Sequence, residues 1–327
     1  MRGRRPLTLL LASAGLAVGL VLAFGGGEAP PEPLLPPPAV EPVSAPAPAA
    51  AEVVEEPAEQ AEPVRSLTYA EGAHEVSIRP KLSAPAYLAV DAESGEILIA
   101  WRERLRRPIA SLTKIMTALL VIERGQLDRK ARVPVEATRV EPNREGLRKG
   151  RWYTRRLLLW SMLLESANDS ADTLAYDAGR GSIARFFRAM NRRAAELGMT
   201  DTSYRSASGL NDDANLSSAR DQALVTLEAL ERPFFARIVR TRTKHVEWPP
   251  PTYAKEWVNH NEMLWSYEGT VGVKTGFTTQ AGGCLAVAVE RGGRIVVAVV
   301  LGSRNIWKDM PRLVDAAFEQ LGVPTGI

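Results

Sequence analysis

The chain has 327 residues, 45% of them hydrophobic and 24% charged, with a formal net charge of +3. That balance suits a folded domain with a sizeable core and excludes a chain that is disordered throughout. The single cysteine, Cys284, excludes an intrachain disulfide framework and a cysteine-rich zinc cluster, and in its apolar run it reads as a small buried hydrophobe.

Arg2, Arg4 and Arg5 precede a stretch without charge from Leu7 to Gly27. Leu7 to Phe24 approaches the ~20 residues that span a bilayer and exceeds the usual core of a signal peptide. Residues 1–27 are therefore expected to be an uncleaved membrane anchor rather than a signal peptide removed near Ala23-Phe24-Gly25. The Arg4-Arg5 pair is a weak hint of twin-arginine export. The basic flank stays cytoplasmic, which places the rest of the chain on the extracytoplasmic side, in the periplasm or against the wall. Residues 28–66 hold eleven prolines among Ala and Glu and no aromatic residue. This composition cannot bury enough apolar surface to fold and is expected to be an extended linker reaching roughly 100 Å.

The folded domain is expected over residues 67–327. Residues 1–66 carry eight Glu and four Arg, leaving 37 basic against 30 acidic side chains in this domain. Arg102, Arg104, Arg106 and Arg107 read as a solvated face, an anionic membrane or wall polymer being the second reading. No aromatic interleaving supports nucleic-acid binding. Ala86–Val90 and Glu96–Trp101 read as a hairpin across Asp-Ala-Glu-Ser-Gly.

Residues 108–121, PIASLTKIMTALLV, read as a helix ending near Arg124-Gly125. Leu112, Ile115, Met116, Leu119 and Leu120 mark one buried face. Ser111 and Lys114 share a face at its head, a nucleophile beside a base that can lose its proton. Residues 126–150 are polar and irregular. Helical patterns follow over Thr154–Gly179, Ser182–Leu197 and Ser218–Leu230. Residues 245–270 read as loop around Pro249, Pro250 and Pro251. Val271–Phe277, Cys284–Glu290 and Arg294–Leu301 read as strands, and Asp309–Leu321 as a last helix stopped by Gly322. Strands at both ends with helices between predict an α/β (α+β) domain, one sheet assembled from the two termini with an inserted helical lobe.

Ser111-x-x-Lys114, Ser166-Ala167-Asn168 and Lys274-Thr275-Gly276 occur in this order, each on a suitable element. Singly each is common; together they match the motif set of penicillin-binding proteins and β-lactamases. The chain has 33 Arg and eight Lys, yet lysine occupies positions 114 and 274. Arginine does not give up its proton, so a base at 114 must be lysine.

With PIASLTKIMTALLVIE, LLLESANDSADTLA, AELGMTDTSYRSASGLNDD, SSARDQAL and GVKTGFTTQAGGCLAVAVERGGRIVVAVVLG, residues 80–321 closely resemble the serine D-Ala-D-Ala carboxypeptidases, low-molecular-mass penicillin-binding proteins. The resemblance implies a β-lactamase/penicillin-binding-protein-like fold, an antiparallel sheet flanked by helices. It implies removal of the terminal D-Ala from peptidoglycan stem pentapeptides through a Ser111 acyl-enzyme, with β-lactams as covalent inhibitors and no cofactor. Lys114 would be the general base. Asn168 would hold Lys114 or substrate backbone, and Ser166 would relay a proton to the leaving amine. Lys274 and Thr275 would bind the free carboxylate, and Gly276 would let substrate lie close. Backbone N–H groups of Ser111 and Phe277 would hold the oxyanion.

Many relatives continue into a β-sandwich domain and a terminal amphipathic anchor; here the sequence ends at Ile327, and the anchor is expected at the amino end. Several place an arginine after the last strand to help hold the carboxylate, a part open here to Arg304 or Lys308.

The main alternative is a D,D-endopeptidase cutting cross-links with the same site. A class A β-lactamase would need a Glu-x-x-x-Asn arrangement between the second and third motifs, which is missing. A non-catalytic wall-binding module conflicts with intact motifs. A Ser-His-Asp hydrolase would have only His74, His245 and His260 and no Gly-x-Ser-x-Gly elbow. No metal motif or nucleotide loop is present.

Overall fold

A computed structural model describes residues 65–70, 80–210, 215–248 and 254–324. The predicted anchor, all but the end of the linker, and the three prolines at 249–251 lie outside the described residues. Among the described residues no helix is long and apolar enough to cross a membrane.

Six strands form the central sheet: β1 (Thr68–Tyr69), β2 (Ala86–Asp91), β3 (Glu96–Trp101), β4 (Thr270–Thr278), β5 (Gly282–Arg291) and β6 (Arg294–Ser303). Their spatial order is β1-β3-β2-β6-β5-β4, so both ends of the domain contribute and β4 is an edge. The five longer strands are antiparallel, as expected. The unpredicted β1 is too short to carry a pattern and adds parallel to β3, which makes the sheet mixed.

Side-chain alternation gives the sheet two apolar faces. Leu88, Val90, Ala286, Val297 and Val299 face the helical lobe, and Cys284 is buried with them as expected. Ala89, Leu285, Val287, Ala298 and Val300 face the carboxy-terminal helix instead.

The helices are α1 (Thr113–Glu123), α2 (Arg155–Leu164), α3 (Asn168–Ala178), α4 (Ile183–Glu196), α5 (Ala219–Leu230), α6 (Pro233–Val239), α7 (Met263–Ser266) and α8 (Ile306–Gln320). The expected single buried face of α1 is wrong: Thr113 to Val121 are all buried. Helices α2 to α6 pack around α1, so it runs through the middle of the lobe and keeps even Thr113, Lys114 and Thr117 from water.

Other boundaries moved for local reasons. The predicted helix over Thr154–Gly179 is two helices, broken where Ser166 turns to φ 56°. Helix α8 begins three residues before the predicted Asp309, because the Asn305 side chain accepts the Lys308 N–H and caps it. The region read as loop holds the antiparallel pair Thr243–Val246 and Lys255–Val258 as well as α7. Helix α6 was unpredicted; proline at its first position is compatible with a helix start. Within residues 126–150, Lys130–Arg132 pairs with Trp152–Thr154.

Candidate active site

Ser111 lies in a 3-10 turn, Ala110–Leu112, that leads into α1. Ala110 is held at φ 48°, a left-handed conformation that alanine adopts at a cost, directly before the predicted nucleophile. The turn leaves Ser111 partly accessible while the first turn of α1 carries Lys114 inward to 0% exposure.

Three acceptors surround the Lys114 amine. Nζ lies 2.9 Å from Ser111 Oγ, 2.7 Å from Asn168 Oδ1 and 2.7 Å from the Ser208 carbonyl. An ammonium donates to all three. A neutral amine has two N–H groups for the Asn168 and Ser208 oxygens, and its lone pair is left for the Ser111 hydroxyl. Burial pushes Lys114 well below the ordinary lysine range; the nearby Lys274 charge lowers it further, and Asp172 acts in the opposite direction. The site therefore favours the form of Lys114 that accepts a proton.

Asn168 is fixed from two sides. Its Nδ2 donates to the Pro142 carbonyl at 2.6 Å and its backbone N–H to the Asn143 carbonyl at 2.8 Å, which leaves Oδ1 for Lys114. Its neighbour Asp169 accepts the N–H groups of Glu145, Gly146 and Leu147, each at 2.9 Å, and so ties that loop to the start of α3. Ser166 is buried in the turn between α2 and α3 and makes no hydrogen bond to Ser111 or Lys114.

The third wall is β4. Lys274 is 2% exposed, and its Nζ donates to the Thr275 carbonyl at 2.9 Å. Burial lowers it to about 7. Gly276 faces the serine turn: a Cβ there would stand 2.9 Å from the Ser111 nitrogen and 3.2 Å from the Ile109 oxygen. Only glycine lets the strand lie this close to Ser111. Thr275 is half-buried, and Phe277 is exposed to 74% at the open side of the sheet.

Sequence reasoning missed the fourth contributor, the segment around Ser208. Its position is locked by Thr117 Oγ1 donating to the Ala207 carbonyl at 2.8 Å and by Asn215 Nδ2 donating to Thr113 Oγ1 at 2.8 Å. Gly209, at φ 77°, passes so near the serine turn that a Cβ would meet the Ala110 oxygen at 1.9 Å. The functional atom is a backbone carbonyl, which side-chain motifs do not advertise; the one available signal was the glycine after Ser-Ala-Ser.

A partly accessible serine beside a buried lysine, an asparagine holding that lysine and a lysine-bearing edge strand come together around Ser111. A family profile described as D-alanyl-D-alanine carboxypeptidase matches residues 73–305. The chain belongs to that family. Among its relatives, a D-alanyl-D-alanine carboxypeptidase of Mycobacterium tuberculosis is 32% identical over 247 residues, 73% of this chain and 84% of the relative. A D-alanyl-D-alanine endopeptidase of Escherichia coli is 30% identical over 72% of this chain and 77% of its own length. The crystal structure of a Streptomyces DD-transpeptidase superposes with a TM-score of 0.70 at 30% identity, covering 74% of this chain and 99% of that one. D-alanyl-D-alanine carboxypeptidases act on peptidoglycan peptides in the periplasm or cell wall and bind β-lactams.

Proposed function

We propose that this carboxypeptidase removes the terminal D-Ala from peptidoglycan stem pentapeptides through an acyl-enzyme on Ser111. The observation that carries the reading is the Lys114 amine, desolvated and 2.9 Å from Ser111 Oγ, with its other acceptors already in place. In the first step Ser111 Oγ attacks the carbonyl carbon of the penultimate D-Ala while its proton passes to Lys114 Nζ. The developing oxyanion is held by the backbone N–H groups of Ser111 and Phe277, at the contact that Gly276 keeps close. Collapse breaks the peptide bond, and the leaving amine takes a proton through Ser166. Water then cleaves the ester by the reverse proton path and frees Ser111.

Strand β4 is an open edge, so the substrate backbone can add to it as a further strand, with the terminal carboxylate held by Lys274 and Thr275. That carboxylate would also draw the Lys274 amine back to its charged form. Arg304 is the better placed of the two further cations. Phe277 pairs with Gly283 and Gly283 with Ser303, so Arg304 follows β6 at the end of the sheet where Phe277 stands. Lys308 lies on α8, which packs on the other face.

We further propose that residues 1–27 tether the domain to the outer face of the cytoplasmic membrane and that residues 28–66 are the spacer. Purified muropeptides test the substrate assignment. Pentapeptide monomers trimmed faster than cross-linked dimers are opened would support the carboxypeptidase. The reverse order would make the enzyme an endopeptidase.

A further inference from the structure

Asp172 has no part in the mechanism above, yet it stands behind it. It lies four residues after Asn168 on α3, one helical turn along, on the same side of the helix. The Asn168 side chain reaches Lys114 at 2.7 Å, and α3 packs against α1. Asp172, half-buried, therefore lies one turn along α3 from the partner of the lysine, on the side of the helix turned toward α1.

The other acids of α3 are occupied. Asp169 takes three loop N–H groups, and Asp177 pairs with Arg155 at 2.7 Å. Asp172 makes no hydrogen bond and no close ion pair with a described residue, so neither capping nor a surface salt bridge accounts for it. The charged groups acting on it are Lys114 from α1 and Asp169 from its own helix. Burial raises it to about 6, against the pull of Lys114. On the other side, Lys114 feels two charges, Lys274 from β4 and Asp172 from α3, of opposite effect.

We propose that Asp172 is a positioning residue whose carboxylate is the counter-charge of the Lys114–Lys274 cluster and sets how readily Lys114 takes the serine proton. The proposal rests on Lys114 being the base. Without the carboxylate, Lys114 holds its proton less well. It is then neutral at lower pH, and it is also a weaker base where it is already neutral.

These two consequences move in opposite directions, which a merely structural role would not produce. The test is the rate of acylation by a fluorescent penicillin from pH 5 to 10, in the wild type, Asp172→Asn and Asp172→Glu, with thermal melts as a control. The acid limb of Asp172→Asn should move toward acid by about one pH unit, as expected for loss of a nearby opposite charge. Its alkaline plateau should fall about threefold, and Asp172→Glu should keep the wild-type limb. Should Asp172→Asn not fold, Asp172→Ser tests the same loss of charge. A wild-type limb that stays in place in the folded uncharged variants, or moves toward alkali, overturns the role of Asp172 alone. A wild type with no acid limb would remove Lys114 as the base and this proposal with it.

Discussion

Lys274→Met should make the protein more stable in acid and should lose that advantage in alkali. Lys274 is 2% exposed, and burial brings it from 10.5 to about 7. Between those values the unfolded chain binds the proton and the native chain does not, so stability rises with pH across the window. Below pH 7 the full cost applies. At about 1.4 kcal/mol per pH unit, holding this ammonium in the fold costs roughly 5 kcal/mol. Methionine fills the same space without charge but forfeits the bond to the Thr275 carbonyl, about 1 kcal/mol.

The net gain is therefore roughly 4 kcal/mol at pH 6, on the order of 10 °C in melting temperature for a domain of this size. Near pH 10.5 the gain vanishes and the lost hydrogen bond leaves the variant slightly weaker. Melting curves of both proteins from pH 6 to 10 measure this. A difference that does not shrink with pH, or a variant less stable at pH 6, would refute the reasoning. A difference that shrinks as predicted would mark the instability of the wild-type lysine as the cost of a cation kept for an anionic substrate.

Lys114→Arg should cut β-lactam acylation by about 10³-fold, because a guanidinium cannot take the serine proton at working pH; stopped-flow labelling measures it. Gly276→Ala puts a Cβ 2.9 Å from the Ser111 nitrogen, backbone that cannot swing aside. It should lower kcat about 10²-fold with a stability loss of about 1–3 kcal/mol, read from turnover and melts together. Arg304→Ala should raise KM for pentapeptide about tenfold with a smaller change in kcat, whereas Lys308→Ala should leave both near wild type.

Much of this architecture was legible because sequence and packing agree locally. The alternation in β2, β5 and β6 serves two apolar faces, and each strand carries that pattern within itself. Ser111, Lys114 and Asn168 were readable because their own side chains make the contacts that bring them together. What stayed hidden depends on neighbours. The apolar period runs on from α2 into α3, so nothing in it announced that Ser166 would turn to φ 56° and open the gap in which Asn168 starts a new helix. Helix α1 reads as amphipathic, but the lobe closes over its polar side as well. The Ser208 carbonyl has no side-chain signature, and Asp172 looks like any helical acid until α3 is placed against α1.

The central claim is that Ser111, activated by Lys114, is the nucleophile. Its most direct test is to acylate the purified domain with a β-lactam, digest it and locate the added mass. The adduct should sit on Ser111 and be absent from a folded Ser111→Ala variant. An adduct on another residue, or equal labelling of Ser111→Ala, would contradict it.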